Sequence, residues 1–148
     1  MTPVWREAVR GDVPAVVALL RDDAIGATRE DDDLPAYLAA FDAMRADGAN
    51  HLIVGEAEGR IVATFQLTFI TGLSHRATRR AQIESVRVAA DLRGRGLGRA
   101  LMAEAEARAA AAGCGMLQFT THADRGRAHR FYRSLGYVQS HLGFKKPL

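Results

Sequence analysis

The sequence has little of what several classes of protein depend on. It contains a single cysteine, Cys114, which excludes an internal disulfide and a cysteine-based metal cluster. Its five histidines lack the spacing of metal ligands, and no His-Glu-x-x-His motif is present, so we expect no metal. No apolar run is of signal-peptide type or approaches the roughly 18 to 20 residues of a membrane span. These absences predict a soluble, cytoplasmic protein.

Nucleotide-binding and nucleic-acid-binding patterns are missing as well. The glycine-rich segment of the chain is not Gly-x-Gly-x-x-Gly, lacks a Gly-Lys-Ser/Thr ending and lies late in the sequence. Aromatic residues make up only 7% of the chain and are not interleaved with the arginines, which are scattered. We therefore expect neither a nucleoside triphosphate nor a nucleic acid as partner.

Length and charge distribution are informative. With 148 residues, 48% of them hydrophobic, residues 1–148 can bury one core and are predicted to form a single domain. Residues 1–58 hold 5 basic and 12 acidic side chains (−7), whereas residues 59–148 hold 15 basic and 5 acidic ones (+10). This asymmetry favours an anionic ligand on the second half and a cationic one on the first.

Local patterns predict an alternation of strands and helices. Alternating apolar residues indicate strands, and helical spacing after capping residues indicates helices. The predicted strands are Val4–Val9, His51–Glu56, Arg60–Phe69, Ala81–Val88, Met116–Thr120 and a terminal pair at Tyr137–Val138 and Gly143–Lys145. Four helices are predicted: one after Asp12, one from about Pro35 to Ala46, one from about Gly96 to Gly113 and one from Arg125 to Leu135. In the third, Leu97, Leu101 and Ala105 lie on one apolar stripe.

The segment between the Ala81–Val88 strand and the long helix carries the clearest chemical signal. Glycines let this turn curl closely, and the first N–H groups of the helix have no partners within it. Such a turn binds phosphate through those N–H groups and the helix dipole. The sequence of the turn is Arg93-Gly94-Arg95-Gly96-Leu97-Gly98.

Two blocks resemble those of one protein family, the GNAT superfamily of N-acetyltransferases. Residues Arg93–Gly98 match its Arg/Gln-x-x-Gly-x-Gly/Ala signature at every defining position. The second block, Ala128-His129-Arg130-Phe131-Tyr132-Arg133-Ser134-Leu135-Gly136-Tyr137, matches Ala-x-x-Phe-Tyr-x-x-x-Gly-Phe/Tyr. The resemblance implies an α/β (α+β) fold: a mixed, mainly antiparallel sheet of six to seven strands, flanked by about four helices and splayed at the cofactor strand.

The resemblance also implies acetyl-CoA as cofactor. In the family, amides of the turn hold the CoA pyrophosphate, while the preceding strand pairs its backbone with the pantetheine arm. Carried over to this chain, the cofactor-binding residues are Val86, Arg87 and Val88 on the strand and Arg93, Gly94, Arg95, Gly96, Leu97, Gly98 and Arg99 in the turn.

Acetyl transfer to an amine needs a base for the attacking nitrogen and an acid for the leaving thiolate. The family's usual acid is the tyrosine of Phe-Tyr, here Tyr132. Our candidate base is Glu84, because strand parity places Gln82, Glu84, Val86 and Val88 on one face, where burial would suit a base. The alternative for Glu84 is a structural carboxylate paired with Arg79 or Arg80.

The chain departs from the family's pattern at two places. Many members have the basic carboxylate where this chain has Gln82, so Glu84 could act directly, through a water, or only by binding the substrate's cation. Many members also carry an asparagine in the loop before the last helix, where this chain has His122-Ala123-Asp124-Arg125. Arg125 or His122 could take over a cofactor contact, and His122 is a second candidate base.

The sequence thus predicts an N-acetyltransferase acting on a primary amine, of a small molecule or a protein, by direct attack in a ternary complex. Residues 29–44 would select the acceptor, and family habit implies a homodimer. Two other hypotheses are an acyl-CoA-binding module with little turnover and, from the basic second half alone, a DNA-binding regulator.

Overall fold

The computed structural model describes all residues from 1 to 148. The chain divides into two compact units, residues 1–118 and residues 119–148. The first unit contains the whole sheet and most of the helices, and the second contains one helix and irregular segments. The single domain expected over residues 1–148 stays a prediction.

The first unit contains five strands, five α-helical segments and two short 3-10 turns. The strands are β1 (Val4–Glu7), β2 (Asn50–Ala57), β3 (Arg60–Ile70), β4 (Arg80–Val88) and β5 (Met116–Gln118). The helices are α1 (Val13–Arg21), α2 (Gly26–Arg29), α3 (Leu34–Asp47) and α5 (Leu97–Ala111), with a short turn α4 (Ser74–Ala77) whose inner residues have positive φ. The second unit contains α6 (Gly126–Ser134). No helix of the chain is both long and apolar enough to cross a membrane.

The strands form one mixed sheet in the order β1-β2-β3-β4-β5. The first four are antiparallel neighbours, and β5 runs parallel to β4. The predicted mixed, mainly antiparallel architecture is confirmed, and the splay at the cofactor strand stays a prediction, because β5 is only three residues long and pairs only with Arg80–Gln82. The four helices of nine or more residues are those predicted, and the two four-residue segments were not anticipated.

The number of strands is a correction, because the sheet has five strands rather than six or seven. Residues 137–138 and 143–145 form no strand, and β5 ends at Gln118 rather than at Thr120. The apolar residues that suggested terminal strands are not buried: Val138 is 83% exposed and Phe144 is 94% exposed. Without an apolar face to bury, the alternation in this segment has no stabilising effect.

The two faces of the sheet are covered by different helices. On one face, α1 and α3 pack on β2 in a core cluster that includes Val16, Phe41 and Val54. The neighbouring residue Ile53 points to the other face, because side chains alternate along a strand. There α5 packs on β3 and β4 with the predicted stripe of Leu97, Leu101 and Ala105 buried. The sheet therefore holds α1 and α5 on opposite sides of β4.

An ion-pair network joins β1 to the start of α1. Arg6 donates from Nη1 to Asp12 Oδ2 at 2.7 Å and from Nη2 to Glu56 Oε2 at 2.8 Å. Asp12 precedes α1, as predicted, but its carboxylate does not cap that helix and instead accepts from Val9 N at 2.8 Å. The hydrogen bond from Arg6, aided by that from Val9, lowers the pKa of Asp12 against the opposing effect of burial.

We expect Asp12→Asn to lower the free energy of unfolding at pH 7 by about 1 to 2 kcal/mol, since it removes a charge-assisted hydrogen bond. Because the folded-state pKa lies below the unfolded one, this stabilisation is present above about pH 4 and is lost as pH falls through the folded value. Urea unfolding at pH 7 and pH 3 measures both effects. The control Asp42→Asn, whose pair with Arg10 is more than half exposed, should change stability by less than about 0.5 kcal/mol.

Candidate functional site

The glycine-rich turn lies between β4 and α5, as the sequence predicts. A single 3-10 turn, Ala90–Leu92, follows β4, and α5 begins at Leu97. Gly94 has φ 75° and Gly96 has φ 83°, a left-handed conformation that glycine adopts without a steric penalty. A Cβ at either glycine would meet nothing within 4 Å. The left-handed backbone conformation, rather than close packing against a neighbour, therefore explains these two glycines.

The start of α5 is suited to an anion. Gly96 is its N-cap residue, and no side chain caps the helix. The amides of its first turn consequently lack the intrahelical partners of later ones and can donate hydrogen bonds to an anionic ligand. Arg95 and Arg99, on either side of the helix start, are exposed and add positive charge.

Arg93 has a different role from the other turn residues. Its Nη2 donates to the carbonyl oxygen of Asp22 at 2.7 Å, and its Nε donates to that of Val88 at 3.2 Å. Its carboxylate neighbour, Asp22, lies 3.7 Å away. The Arg93 side chain thus fixes the turn to the end of α1 and to β4, and its contact with the cofactor stays a prediction.

One edge of β4 is open within residues 1–118. β5 pairs with Arg80–Gln82, and beyond Gln82 no strand of this unit continues the pairing on that side. The segment from Ile83 to Val88 therefore presents backbone donors and acceptors of the kind that an extended ligand pairs with. This is the segment assigned from the sequence to the pantetheine arm.

A β-bulge interrupts β4 within this open segment. Thr64 faces Arg87 and Gln66 faces Glu84, so Ser85 and Val86 together oppose the single residue between them, Phe65. Ser85 has φ 54°, which is uncommon for a residue other than glycine. The alternation expected from the sequence, which put Val86 and Val88 on the same face as Gln82 and Glu84, is therefore wrong beyond Glu84. Arg87 shares the face of Gln82 and Glu84, whereas Val88 does not.

A line of hydrogen-bonded polar side chains crosses this face from β5 to β4. Arg80 Nη1 donates to Gln118 Oε1 at 3.0 Å, and Gln118 Nε2 donates to Gln82 Oε1 at 3.1 Å. Gln82 Nε2 in turn donates to Glu84 Oε1 at 2.9 Å. Asn50 accepts from Gln66 and Thr68 on the same face. Sequence reasoning singled out three members of this network, Arg80, Gln82 and Glu84, but did not anticipate that Gln118 and Gln82 connect them.

Glu84 differs from the sequence-based expectation in one respect. Its side chain is exposed, so the burial expected of a carboxylate on this face is not observed. The alternative of an ion pair with Arg79 or Arg80 is not observed either. Arg79 donates to the Ala112 carbonyl and lies over the Phe69 ring, and Arg80 binds Gln118. Glu84 is instead held by Gln82 and can accept a hydrogen bond from a cationic ligand.

Arg87 forms an ion pair that sequence reasoning missed. Its Nε lies 3.0 Å from Oδ2 of Asp23, with side chains 10% and 16% exposed, respectively. Its Nη1 donates to the Val86 carbonyl at 2.9 Å. The Arg87 side chain therefore contacts the bulged part of β4 at Val86, and its ion pair with Asp23 joins β4 to the residues that follow α1.

In the second unit, Tyr132 lies in an aromatic cluster. Its ring centroid is 4.4 Å from that of Phe119, 5.3 Å from that of Phe131 and 6.4 Å from that of Tyr137. The cluster holds the ring on α6 while leaving the side chain only half-buried.

The loop before α6 contains the two other candidates from the sequence. His122 Nδ1 lies 3.5 Å from Asp124 Oδ2, and its carbonyl accepts from the backbone N–H of Arg125 at 3.0 Å and contacts His129 Nε2. These are local contacts that shape the start of α6. No group of three or more His, Cys, Asp or Glu side chains is arranged to hold a metal ion.

Residues 14–137 match the sequence model of the acetyltransferase (GNAT) family, a range that includes the turn, β4 and the aromatic cluster. The chain belongs to this family. Members are acetyltransferases that use acetyl-CoA, so the chain is an acyltransferase.

Three proteins are similar to this chain in sequence or in fold. The aminoalkylphosphonate N-acetyltransferase of Salmonella typhimurium is 32% identical over 143 residues, covering 97% of this chain and 90% of that one. The structure of a transcriptional regulator from Bacillus halodurans C-125 is 38% identical, with a TM-score of 0.93 and 99% of each chain covered. Glucosamine-6-phosphate N-acetyltransferase from Arabidopsis thaliana, 19% identical with a TM-score of 0.80 over 99% of each chain, shares the fold.

Proposed function

We propose that this GNAT protein transfers the acetyl group of acetyl-CoA to a primary amine of a small molecule by direct attack in a ternary complex. The observation that carries the proposal is the juxtaposition, within one unit, of an uncapped helix start at Gly96, an open β4 edge and a polar face ending at Glu84. The helix start suits a diphosphate, and the open β4 edge suits an extended chain that carries amides. The polar face at Glu84 suits an ammonium group. The homodimer and the cytoplasmic location stay predictions.

The proposed roles follow from these positions. The amides of residues 94–99 bind the pyrophosphate, with Arg95 and Arg99 adding charge and Arg93 fixing the turn. Val86, Arg87 and Val88 supply the β4 edge. Glu84 binds the acceptor ammonium and takes its proton, directly or through a water, and Tyr132 protonates the departing thiolate.

The experiment that tests the proposal is an assay of thiol release from acetyl-CoA with a panel of amines. Aminoalkylphosphonates are included because the Salmonella relative is named for them, beside amino acid derivatives, polyamines and aminoglycosides. We expect at least one small amine to raise thiol release well above the rate with water alone. Acetyl-CoA binding without turnover on any amine would favour the binding-module hypothesis instead.

Glu84→Gln should lower kcat/KM for the amine by about 10- to 100-fold and leave the Kd of acetyl-CoA unchanged, because it removes a proton acceptor but no cofactor contact. Initial rates over a range of amine concentrations separate the two proposed roles. A fall in kcat indicates a base, and a rise in KM alone indicates cation binding. Glu58→Gln, another exposed carboxylate, is the matched control in the β2–β3 turn. Equal kinetics of the two variants would remove Glu84 from the mechanism.

A second candidate function, DNA binding, is favoured by two observations. The similar Bacillus halodurans structure is that of a transcriptional regulator, and residues 59–148 of this chain carry a net charge of +10 (15 basic, 5 acidic). Binding of duplex DNA that weakens with salt and survives saturation with CoA would support this function. Displacement of the DNA by CoA would instead indicate non-specific binding of phosphate at the turn.

A further inference from the structure

The ion pair between Asp23 and Arg87 is the most enclosed pair of charges near the site. Both side chains are largely shielded from solvent, at 16% and 10% exposed. Burying two charges is costly unless hydrogen bonds satisfy their remaining polar atoms, and an apolar pair would often stabilise a core as well. The pair is therefore better explained by the position in which it holds the Arg87 guanidinium than by a gain in stability.

The Arg87 guanidinium reaches the bulge of β4. Its Nη1 donates to the carbonyl oxygen of Val86 at 2.9 Å, and Val86 is the second of the two bulged residues. The first, Ser85, has φ 54°, a conformation that costs free energy in a residue with a Cβ. Such a conformation persists only where the surrounding structure holds it. Arg87 supplies a hydrogen bond that a bulge-free strand would not need.

Asp23 is itself held in a tightly packed turn after α1. Its Oδ1 accepts from the backbone N–H of Gly26 at 2.5 Å. Gly26 is enclosed, since a Cβ there would lie 1.8 Å from the carbonyl oxygen of Leu20. Arg93 binds the backbone of the adjacent Asp22. The residues from Asp22 to Gly26 thus form a fixed anchor for Arg87.

We propose that Asp23 is a positioning residue, which acts through Arg87 on the Val86 carbonyl to hold the β4 bulge in the conformation that presents its edge to acetyl-CoA. The part that concerns acetyl-CoA rests on the proposed function, whereas the hold on the bulge does not. The same contacts link the residues after α1 to β4. A substitution at Asp23 should therefore alter acetyl-CoA binding, even though Asp23 itself makes no contact with the cofactor in this proposal.

The first measurement is amide hydrogen exchange in the ligand-free protein. In Asp23→Asn, exchange of residues 83–88 should rise by about tenfold or more relative to residues 53–55 of β2, because the bulge opens locally. Asp42→Asn, which breaks an exposed ion pair elsewhere, is the matched control and should leave this ratio unchanged. If Asp23→Asn does not fold, Arg87→Lys keeps the charge but cannot contact both partners as a guanidinium does, and should show the same change.

A second substitution separates positioning from general destabilisation. Glycine adopts a positive φ without penalty, so adding Ser85→Gly to Asp23→Asn should restore the exchange ratio and most of the acetyl-CoA affinity that Asp23→Asn removes. The same comparison is made with Arg87→Lys as background. A merely structural ion pair would not be rescued at Ser85.

The experiments distinguish a failure of the positioning role of Asp23 from a failure of the proposed function. No acetyl-CoA binding by the unsubstituted protein refutes the proposed function, and the exchange measurement still decides the role of Asp23. Unchanged exchange of residues 83–88 in both Asp23→Asn and Arg87→Lys overturns the positioning role. Absence of rescue by Ser85→Gly overturns it as well.

Discussion

Gly96→Asp is expected to weaken acetyl-CoA binding by at least about 100-fold, the largest effect that we predict on affinity. The residue stands at the N-cap of α5 with φ 83°, and a side chain there would point into space that is open in the structure. A carboxylate at this place repels the diphosphate and can itself accept hydrogen bonds from the first-turn amides. The substituted helix start would therefore be occupied by its own anion.

The control for this effect is Gly48→Asp. Gly48 ends α3 with φ 77°, and a Cβ there also meets nothing within 4 Å. The two substitutions share their charge change and their backbone strain, and aspartate tolerates the left-handed region better than most residues. Gly48→Asp should leave the acetyl-CoA Kd within about twofold of the original. Calorimetric titration of both variants measures the difference, and equal losses of affinity would contradict the assignment of the turn.

The parts of the structure that the sequence predicts well depend on local signals. The turn and α5 are examples, since glycines, an apolar stripe and the i,i+4 pair of Glu104 with Arg108 lie close together in sequence. That pair is observed at 2.7 Å. The four longer helices and the order of the first five strands follow from similar patterns.

The parts that it predicts poorly depend on contacts between distant residues. Nothing local marks Ser85 as a bulge residue, because a positive φ at serine is imposed by its surroundings. The bulge changes which side chains share a face, so the parity argument for Glu84 was correct only up to that residue. The Asp23–Arg87 pair joins a turn after α1 to β4, and no spacing rule connects them.

Tyr132→Phe should lower kcat by about 100-fold or more at neutral pH and leave the Kd of acetyl-CoA unchanged, because a general acid contributes about 10²- to 10⁴-fold to a rate. At neutral pH, below the ordinary pKa of a thiol, the departing thiolate needs a proton, and the Tyr132 hydroxyl is the donor that the proposal assigns to it. Phenylalanine keeps the ring packed against Phe119 and removes only the hydroxyl.

The same argument gives the dependence of this loss on pH. As pH rises past the thiol's own pKa, the thiolate leaves without a proton, so the deficit of Tyr132→Phe should shrink at high pH. The matched control is Tyr137→Phe, since the Tyr137 ring belongs to the same cluster, with its centroid 5.0 Å from that of Phe119. This substitution also removes a hydroxyl but should change kcat by less than about twofold. Stopped-time measurement of thiol release across pH compares the two variants. If Tyr132→Phe and Glu84→Gln both turn over at the original rate, neither residue is catalytic, and acetyl transfer relies on binding and orientation of the two substrates alone.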